Sequence, residues 1–271
     1  MKTWFITGAS TGFGRVLAEQ LIESGAKVVA TARKPEVLAE FKDKALILPL
    51  DVTQEGDVSS AVQAAVQEFG GIDVLVNNAG FGIGGAIEEI SDADFHEQYD
   101  TNVLGQIRVL RHVVPVMRAQ NSGTILNITS VVGHRSPAGL GLYASSKYAF
   151  EGITESLRSE LKPFGINVIA VAPGAFRTDF GGRSFKRVAN IIPGYEATAE
   201  GTLEWIKTNA PIMDGNPVKA AKIMIQMAEM ENPPQFFPLG KDSVAGILDK
   251  LDRVRADIEQ IRALAESTDF D

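Results

Sequence analysis

Six short runs in this chain are apolar on successive residues: Trp4-Phe5-Ile6, Val28-Val29-Ala30, Leu46-Ile47-Leu48, Val74-Leu75-Val76, Ile125-Leu126-Asn127-Ile128 and Val168-Ile169-Ala170-Val171. A strand with one face in water alternates polar and apolar side chains. A run without alternation belongs to a strand covered on both faces. Between the runs the period becomes helical. Val58, Ala61, Val62, Ala65, Val66 and Phe69 form one stripe, with Thr53 expected as its cap and Gly70-Gly71 as its stop. A second helix is expected to start at Ser91, with Asp94 completing a capping box, and to run towards Pro115. Strand–helix alternation repeated this often requires an α/β protein with a doubly wound parallel sheet and helices on both faces.

The 271 residues, 45% of them hydrophobic and 22% charged, suit one α/β domain, and no linker composition divides them. Two stretches fall outside the core pattern. Residues 179–216 read as irregular, with Phe180, Phe185, Ile191, Ile192, Tyr195, Trp205, Ile206 and Met213 among polar neighbours. Residues 243–264 read as a long amphipathic helix carrying Val244, Ile247, Leu248, Leu251, Val254, Ile258, Ile261 and Leu264, a stripe expected to be buried on its own subunit.

A net charge of −8 argues against a nucleic-acid or anionic-membrane surface, which needs clustered Lys and Arg. With no cysteine there are no disulfides and no thiolate sites. His96, His112 and His134 are too scattered for a metal cluster, and no metal is expected. The first strand begins near Thr3, which leaves no room for a signal peptide, and no apolar run reaches the roughly 20 residues of a bilayer span. The expected location is cytoplasmic.

Directly after the first strand the chain reads Thr7-Gly8-Ala9-Ser10-Thr11-Gly12-Phe13-Gly14, followed by a helix whose Val16, Leu17, Leu21 and Ile22 share a face. Such glycines let the backbone approach a pyrophosphate, and the helix offers it unpaired N–H groups and a positive dipole end. Gly8, Ser10, Gly12, Phe13 and Gly14 are therefore candidate cofactor contacts in a Rossmann-type domain. After the second strand comes Ala30-Thr31-Ala32-Arg33-Lys34. An NAD enzyme normally places an acidic residue here for the ribose 2′-hydroxyl. Arg33 instead suits a 2′-phosphate, so NADP(H) is the expected cofactor.

Tyr143 and Lys147 lie four residues apart in Tyr-Ala-Ser-Ser-Lys, on one face of a helix. A phenol of pKa near 10 needs about three units of lowering to act at pH 7, or roughly 4 kcal/mol. An ammonium about 4 Å away supplies roughly that at an effective dielectric near 20.

With these motifs the chain resembles the short-chain dehydrogenase/reductase family along essentially its whole length. It shows the T-G-x3-G-x-G turn, Asn77-Asn78-Ala79-Gly80 after the fourth strand, and Asn102 in the next helix. Ser130 stands thirteen residues before Tyr143, and Pro173-Gly174 after the sixth strand is followed by Thr178. The resemblance implies strand order 3-2-1-4-5-6-7, Tyr143 as acid or base for the substrate oxygen, and Lys147 as the group that lowers its pKa and holds the nicotinamide ribose. It further implies Ser130 as hydrogen-bond donor to the substrate oxygen, and Asn102 as holder of a water linking Lys147 to solvent. Asn78 would brace the sheet beside the adenosine with Ala79 and Gly80 in the same loop. Asp51 and Val52 would bracket the adenine, and Pro173, Gly174 and Thr178 would meet the nicotinamide end.

The wording around Gly12, Arg33 and Pro173 looks most like the steroid- and retinol-dehydrogenase-like branch. The implied reaction interconverts a ketone or aldehyde and an alcohol. A 3-oxoacyl reductase acting on an acyl carrier shares these residues, and a non-catalytic NADP(H)-binding regulator would be expected to have lost some of them. The 179–216 segment is expected to be a substrate lid, forming an apolar pocket with Phe81, Ile83, Leu140 and Leu142 while His134, Arg135, Arg177 and Arg183 stay solvated. The small-molecule substrate is therefore expected to be hydrophobic. A homo-oligomer, dimer or tetramer, is expected through the helix from Tyr143 to Phe164.

Overall fold

The computed structural model describes residues 1–270. Seven strands make the main sheet: β1 (Thr3–Ile6), β2 (Lys27–Ala32), β3 (Leu46–Pro49), β4 (Val74–Asn77), β6 (Gly123–Ile128), β7 (Ile166–Pro173) and β9 (Phe236–Leu239). They lie in the order β3-β2-β1-β4-β6-β7-β9, and every neighbouring pair is parallel. This is the expected topology. The numerals differ because β5 (Gly82–Gly84) and β8 (Phe185–Arg187) pair separately as a two-stranded parallel sheet.

The continuous apolar runs have a direct explanation in the two cores. Trp4 and Ile6 of β1 pack on one face, against Leu17 and Leu21 of α1 (Gly12–Glu23) and Met224 and Met227 of α7 (Pro217–Glu229). Phe5, the residue between them, packs on the other face, against Val58 and Val62 of α2 (Glu55–Phe69) and Val109, Val113 and Met117 of α4 (Gly105–Gln120). Each fully buried side chain of this size contributes about 1.5–3 kcal/mol, so neither face tolerates a polar alternate.

Several local expectations are corrected. Helix α2 starts at Glu55 after Gln54, and Thr53 is not its cap: its N–H and hydroxyl both donate to the Asp51 carboxylate at 3.0 and 2.8 Å. The Ser91–Asp94 capping box opens α3 (Asp92–Tyr99). The helical path then widens into a π-helical stretch at Asp100–Leu104 and continues as α4 beyond Pro115 to Gln120. Pro115 does not end the helix because Val113 and Met117 on either side of it are fully buried against the sheet. The seventh strand, β9, was not among the runs read from the sequence; its Phe236-Phe237-Pro238-Leu239 includes a proline, which an edge strand tolerates.

Residues 179–216 are also more ordered than expected. They contain β8, a π-helical turn at Glu196–Glu200 and α6 (Gly201–Asn209). The C-terminal helix α8 runs from Lys241 to Glu266, but it does not bury its stripe on its own subunit. Ser243, Gly246 and Ile247 are buried, whereas Leu248, Leu251, Ile258 and Ile261 are each more than half exposed. The helix leaves the sheet edge after two turns, and among the described residues nothing buries the rest of the stripe.

Candidate active site

In a parallel sheet of this order the carboxyl ends of the strands share one edge, and the loops leaving β1, β4, β6 and β7 converge there. They enclose a cavity of about 1480 Å³. Gly8, Ser10, Gly12, Phe13, Arg33, Asp51, Val52, Asn78, Ala79 and Gly80 line it, as do Ser130, Tyr143, Lys147, Pro173, Gly174 and Thr178. Gly14 and Asn102 are the candidates that do not line it; both lie in the layer behind its wall.

The glycine loop is a close-approach device. Gly8 and Gly12 have φ of 70° and 57°, in the left-handed region that side chains avoid. At Gly14 a Cβ would fall 2.5 Å from the Gly8 carbonyl oxygen and 2.6 Å from Asn78 Nδ2. The loop is locked to the β4 end by Thr7 and Asn78. The Thr7 hydroxyl accepts from the N–H groups of Asn78 and Ala79 at 2.9 and 3.0 Å, and the Asn78 amide donates to the Thr7 and Gly8 carbonyls at 2.9 and 3.1 Å. Together with the helix N-terminus of α1, this cradle fits the pyrophosphate of a dinucleotide. Phe13 closes the wall edge-to-face on Phe176, with centroids 5.1 Å apart.

Ser130 follows β6, and Tyr143 and Lys147 lie on α5 (Gly141–Leu161); all three are less than a tenth exposed. The Ser130 hydroxyl pulls the pKa of the phenol down, but burial is the larger influence and leaves Tyr143 well above the ordinary tyrosine value. The same burial lowers Lys147 to about 8, with Glu151 opposing it. The lysine ammonium donates to the Ile128 carbonyl at 2.8 Å and stands 5.9 Å from the centre of the Tyr143 ring. The expectation that Lys147, with the oxidised nicotinamide adding positive charge, lowers the phenol is not met by the protein's own groups. Low-dielectric burial disfavours the charged form of each, so the protein by itself holds a neutral phenol beside a weakened cation.

Asn102 sits in the π-helical stretch, 1% exposed. Its amide donates to the Phe81 carbonyl at 2.8 Å and to Ser146 Oγ at 3.2 Å, and its oxygen accepts from Phe81 N–H at 3.1 Å. The extra residue per turn aims this side chain at the β4–β5 loop, a common use of π-bulges near functional sites.

Part of the 179–216 segment lines the cavity. Phe180 packs on Tyr143 with centroids 5.1 Å apart and on Phe185 at 5.6 Å, and Leu203 and Ile206 join the same cluster. Phe81, Leu140, Trp205, Ile206 and Met213 face the cavity. Ile83 and Leu142 do not, which corrects their placement: both pack with Val188 behind the wall, in a separate cluster. Arg135, Arg177 and Arg183 are exposed, and His134 pairs with Glu151 at 3.1 Å.

Sequence reasoning passed over three groups that build the site. Glu89, 2% exposed, accepts from the N–H groups of Ala86 and Ile192 and so ties the 179–216 segment to the body. Gln98, fully buried, accepts from Ile83 N–H and donates to the Phe81 carbonyl. Asp242, in the first turn of α8, accepts from Ala175 N–H at 2.6 Å and fixes the loop after β7. Glu89 and Gln98 follow from burial, which a lone sequence does not mark. Asp242 carried one signal, an acid at a helix start.

The short chain dehydrogenase family model matches residues 2–189. An oxidoreductase from Botryotinia fuckeliana is 36% identical over 90% of this chain and 90% of its own. A 3-ketodihydrosphingosine reductase from Bacteroides thetaiotaomicron is 37% identical over 84% of each chain. The crystal structure of a short-chain dehydrogenase from Streptomyces avermitilis, 36% identical, superposes with a TM-score of 0.92 over 99% of both chains. The chain belongs to the short-chain dehydrogenase/reductase family, and is an oxidoreductase of CH–OH and C=O groups.

In the ligand-free protein we expect one lysine, Lys147, to titrate near pH 8, where ordinary lysines titrate near 10.4. The unfolded chain keeps this proton to about 10.5, so the position costs stability below pH 8 and that cost is relieved as pH rises from about 8 to 10.5. NMR of ¹³C-methylated lysines checks this; a spectrum in which every lysine titrates above pH 10 overturns it.

Proposed function

We propose that this protein uses NADP(H) to interconvert a bulky hydrophobic ketone or aldehyde and its alcohol. The observation that carries the reading is the position of Tyr143. Its phenol, on the cavity wall with Ser130, stands where the glycine-cradled cavity meets the apolar wall of Phe180, Leu140 and Ile206. When bound, the nicotinamide supplies or accepts the hydride.

The remaining work falls to the chain's own side chains. The glycine loop and Asn78 would hold the pyrophosphate, Arg33 the 2′-phosphate, Asp51 and Val52 the adenine, and Thr178 the nicotinamide end. In reduction Tyr143 gives its proton to the substrate oxygen while Ser130 donates a hydrogen bond to the charge developing there. Burial keeps the phenol protonated at neutral pH, as a proton donor requires. In the oxidative direction the phenolate must be stabilised, and Lys147 is the cation within reach. Asn102 would position the water through which Lys147 exchanges protons with solvent.

NADP(H) is favoured by Arg33, an exposed guanidinium lining the cavity just past the end of β2, with no acid from Ala30 to Lys34. A structural relative, ElxO, 25% identical with a TM-score of 0.73, was solved with NADP bound. The hydrophobic substrate is favoured by the segment 179–216, which acts as the lid, and by the relative named as a 3-ketodihydrosphingosine reductase. The outer face of α5, where Tyr148 is 44% exposed, is the expected pairing surface of an oligomer.

Tyr143→Phe is expected to retain NADPH binding, read by fluorescence, and to lose about 10²- to 10⁴-fold in turnover; near-normal turnover removes Tyr143 from the mechanism. The wild type is expected to prefer NADPH, and Arg33→Ala to narrow the NADPH/NADH ratio of kcat/KM by roughly tenfold to a hundredfold, the worth of a charge-assisted contact. Equal use of both cofactors by the wild type sinks this reading. Along a series of aryl alkyl ketones kcat/KM is expected to rise with chain length, each buried methylene contributing about 0.8 kcal/mol. A preference for the matching keto acids overturns the apolar pocket.

A further inference from the structure

Lys147 is a buried cation without an acid in contact. Its ammonium donates to the Ile128 carbonyl at 2.8 Å, and among the described residues no carboxylate forms an ion pair with it. Burying an ammonium in this way is costly, so charges beyond contact distance decide how firmly it keeps its proton. Glu151 is the acid placed to do so. It follows Lys147 by four residues on α5, a spacing that brings Cβ atoms to about 5–6 Å. Helical side chains lean back towards the N-terminus, which lays the Glu151 stem over the turn that carries Lys147. The packing of the Val131–Gly133 turn on α5 agrees: a Cβ on Gly133 would fall 3.3 Å from the Lys147 carbonyl carbon and oxygen and 3.4 Å from Glu151 Cγ.

The carboxylate is held in place. Its Oε1 meets His134 Nε2 at 3.1 Å, and neither side chain is more than a quarter exposed. The imidazole stands edge-on to Phe236 of β9 with centroids 4.8 Å apart, and the Tyr148 hydroxyl donates to the His134 carbonyl. The other ionisable groups around the lysine are engaged elsewhere. Tyr143 on α5 is a neutral phenol, Arg135 lies against Gly246 of α8, and Asp242 of α8 accepts from Ala175 N–H. Arg158, further along α5, donates to the Val168 carbonyl and feels both Glu155 and Glu151, while β9 brings no charged side chain. Burial takes Lys147 down to about 8, and Glu151 is the charge that opposes it. We propose that Glu151 is a positioning residue for Lys147: braced by His134, its carboxylate keeps the lysine in the charged, hydrogen-bond-donating form that serves the site. The inference rests on the role given to Lys147 above, and it adds a residue that does not itself line the cavity.

The experiment follows Lys147 in the ligand-free protein by NMR of ¹³C-methylated lysines, its signal assigned by loss in Lys147→Arg. Glu151→Gln keeps the size and hydrogen-bonding capacity of the side chain and removes its charge. It is expected to move the Lys147 titration about one pH unit below that of the wild type, since the charged form of the lysine loses its opposing acid. Glu151→Asp, which keeps the charge, is expected to restore most of the difference. Glu155→Gln, one turn further on and exposed, is expected to leave the titration where it is. The alkaline fall of oxidative kcat/KM is expected to move down with Glu151→Gln by the same interval. A Lys147 titration unmoved by Glu151→Gln overturns the proposal, even if turnover falls at every pH. So does an equal displacement in Glu155→Gln, which assigns the effect to surface charge in general. A titration that moves while the alkaline limb stays fixed supports the proposal and removes the lysine charge from the oxidative step instead.

Discussion

Parallel pairing of strands buried on both faces is the constraint from which the site follows. Ile6 is in register with Ala30 on one side and Val76 on the other, and Ile128 with Val171, so the chain leaves these strands along a common edge. Residues far apart in sequence arrive there together: the turn at Gly8, the loop at Asn78, Ser130 and Pro173. Thr7 and Asn78 then tie the first two loops by four hydrogen bonds, three of them at 3.0 Å or less. Such bonds are worth about 1 kcal/mol each in net stability, but leaving one of these buried groups unpaired costs more, so the loop conformation is firmly specified.

The same burial that makes the sheet governs the chemistry. Tyr143 and Lys147 sit where water is scarce, and each resists its charged form: the phenol is held protonated and the lysine falls to about 8. A site of this kind is responsive. A positive charge brought close to the phenol changes its acidity far more in this low-dielectric setting than it would in water. Phe180 lies against the tyrosine ring from the 179–216 segment, and Glu89 holds that segment through the Ile192 N–H.

Helix α8 joins the site to the outer surface. Its first turn is built into the catalytic edge, since Asp242 binds Ala175 N–H and the Ser243 hydroxyl donates to the Ala172 carbonyl at 2.7 Å. Its later turns leave the body entirely. One continuous helix therefore braces the loop after β7 at one end and carries the uncovered apolar row at the other.

The sheet strands, the glycine turn and the Tyr143–Lys147 pair were legible in the sequence because each rests on local chemistry: two-sided apolar runs, backbone freedom at glycine, and spacing along one helix; Ser130 came only from the resemblance to the family. Chain-local signals also gave the stop at Gly70 and the cap at Ser91. What they could not give is the sign of a pKa shift at Tyr143, since that depends on how deeply the fold buries it. Nor could they tell that Pro115 would be carried inside a helix, or that Ile83 and Leu142 would turn away from the cavity while Phe81 and Leu140 turned in. An apolar stripe reads the same whether its partner is the chain's own core or another molecule, so the exposure of Leu251 and Ile258 was equally hidden. Periodicity and turn chemistry are written residue by residue; burial, and with it charge state and partner choice, is a property of the whole packed chain.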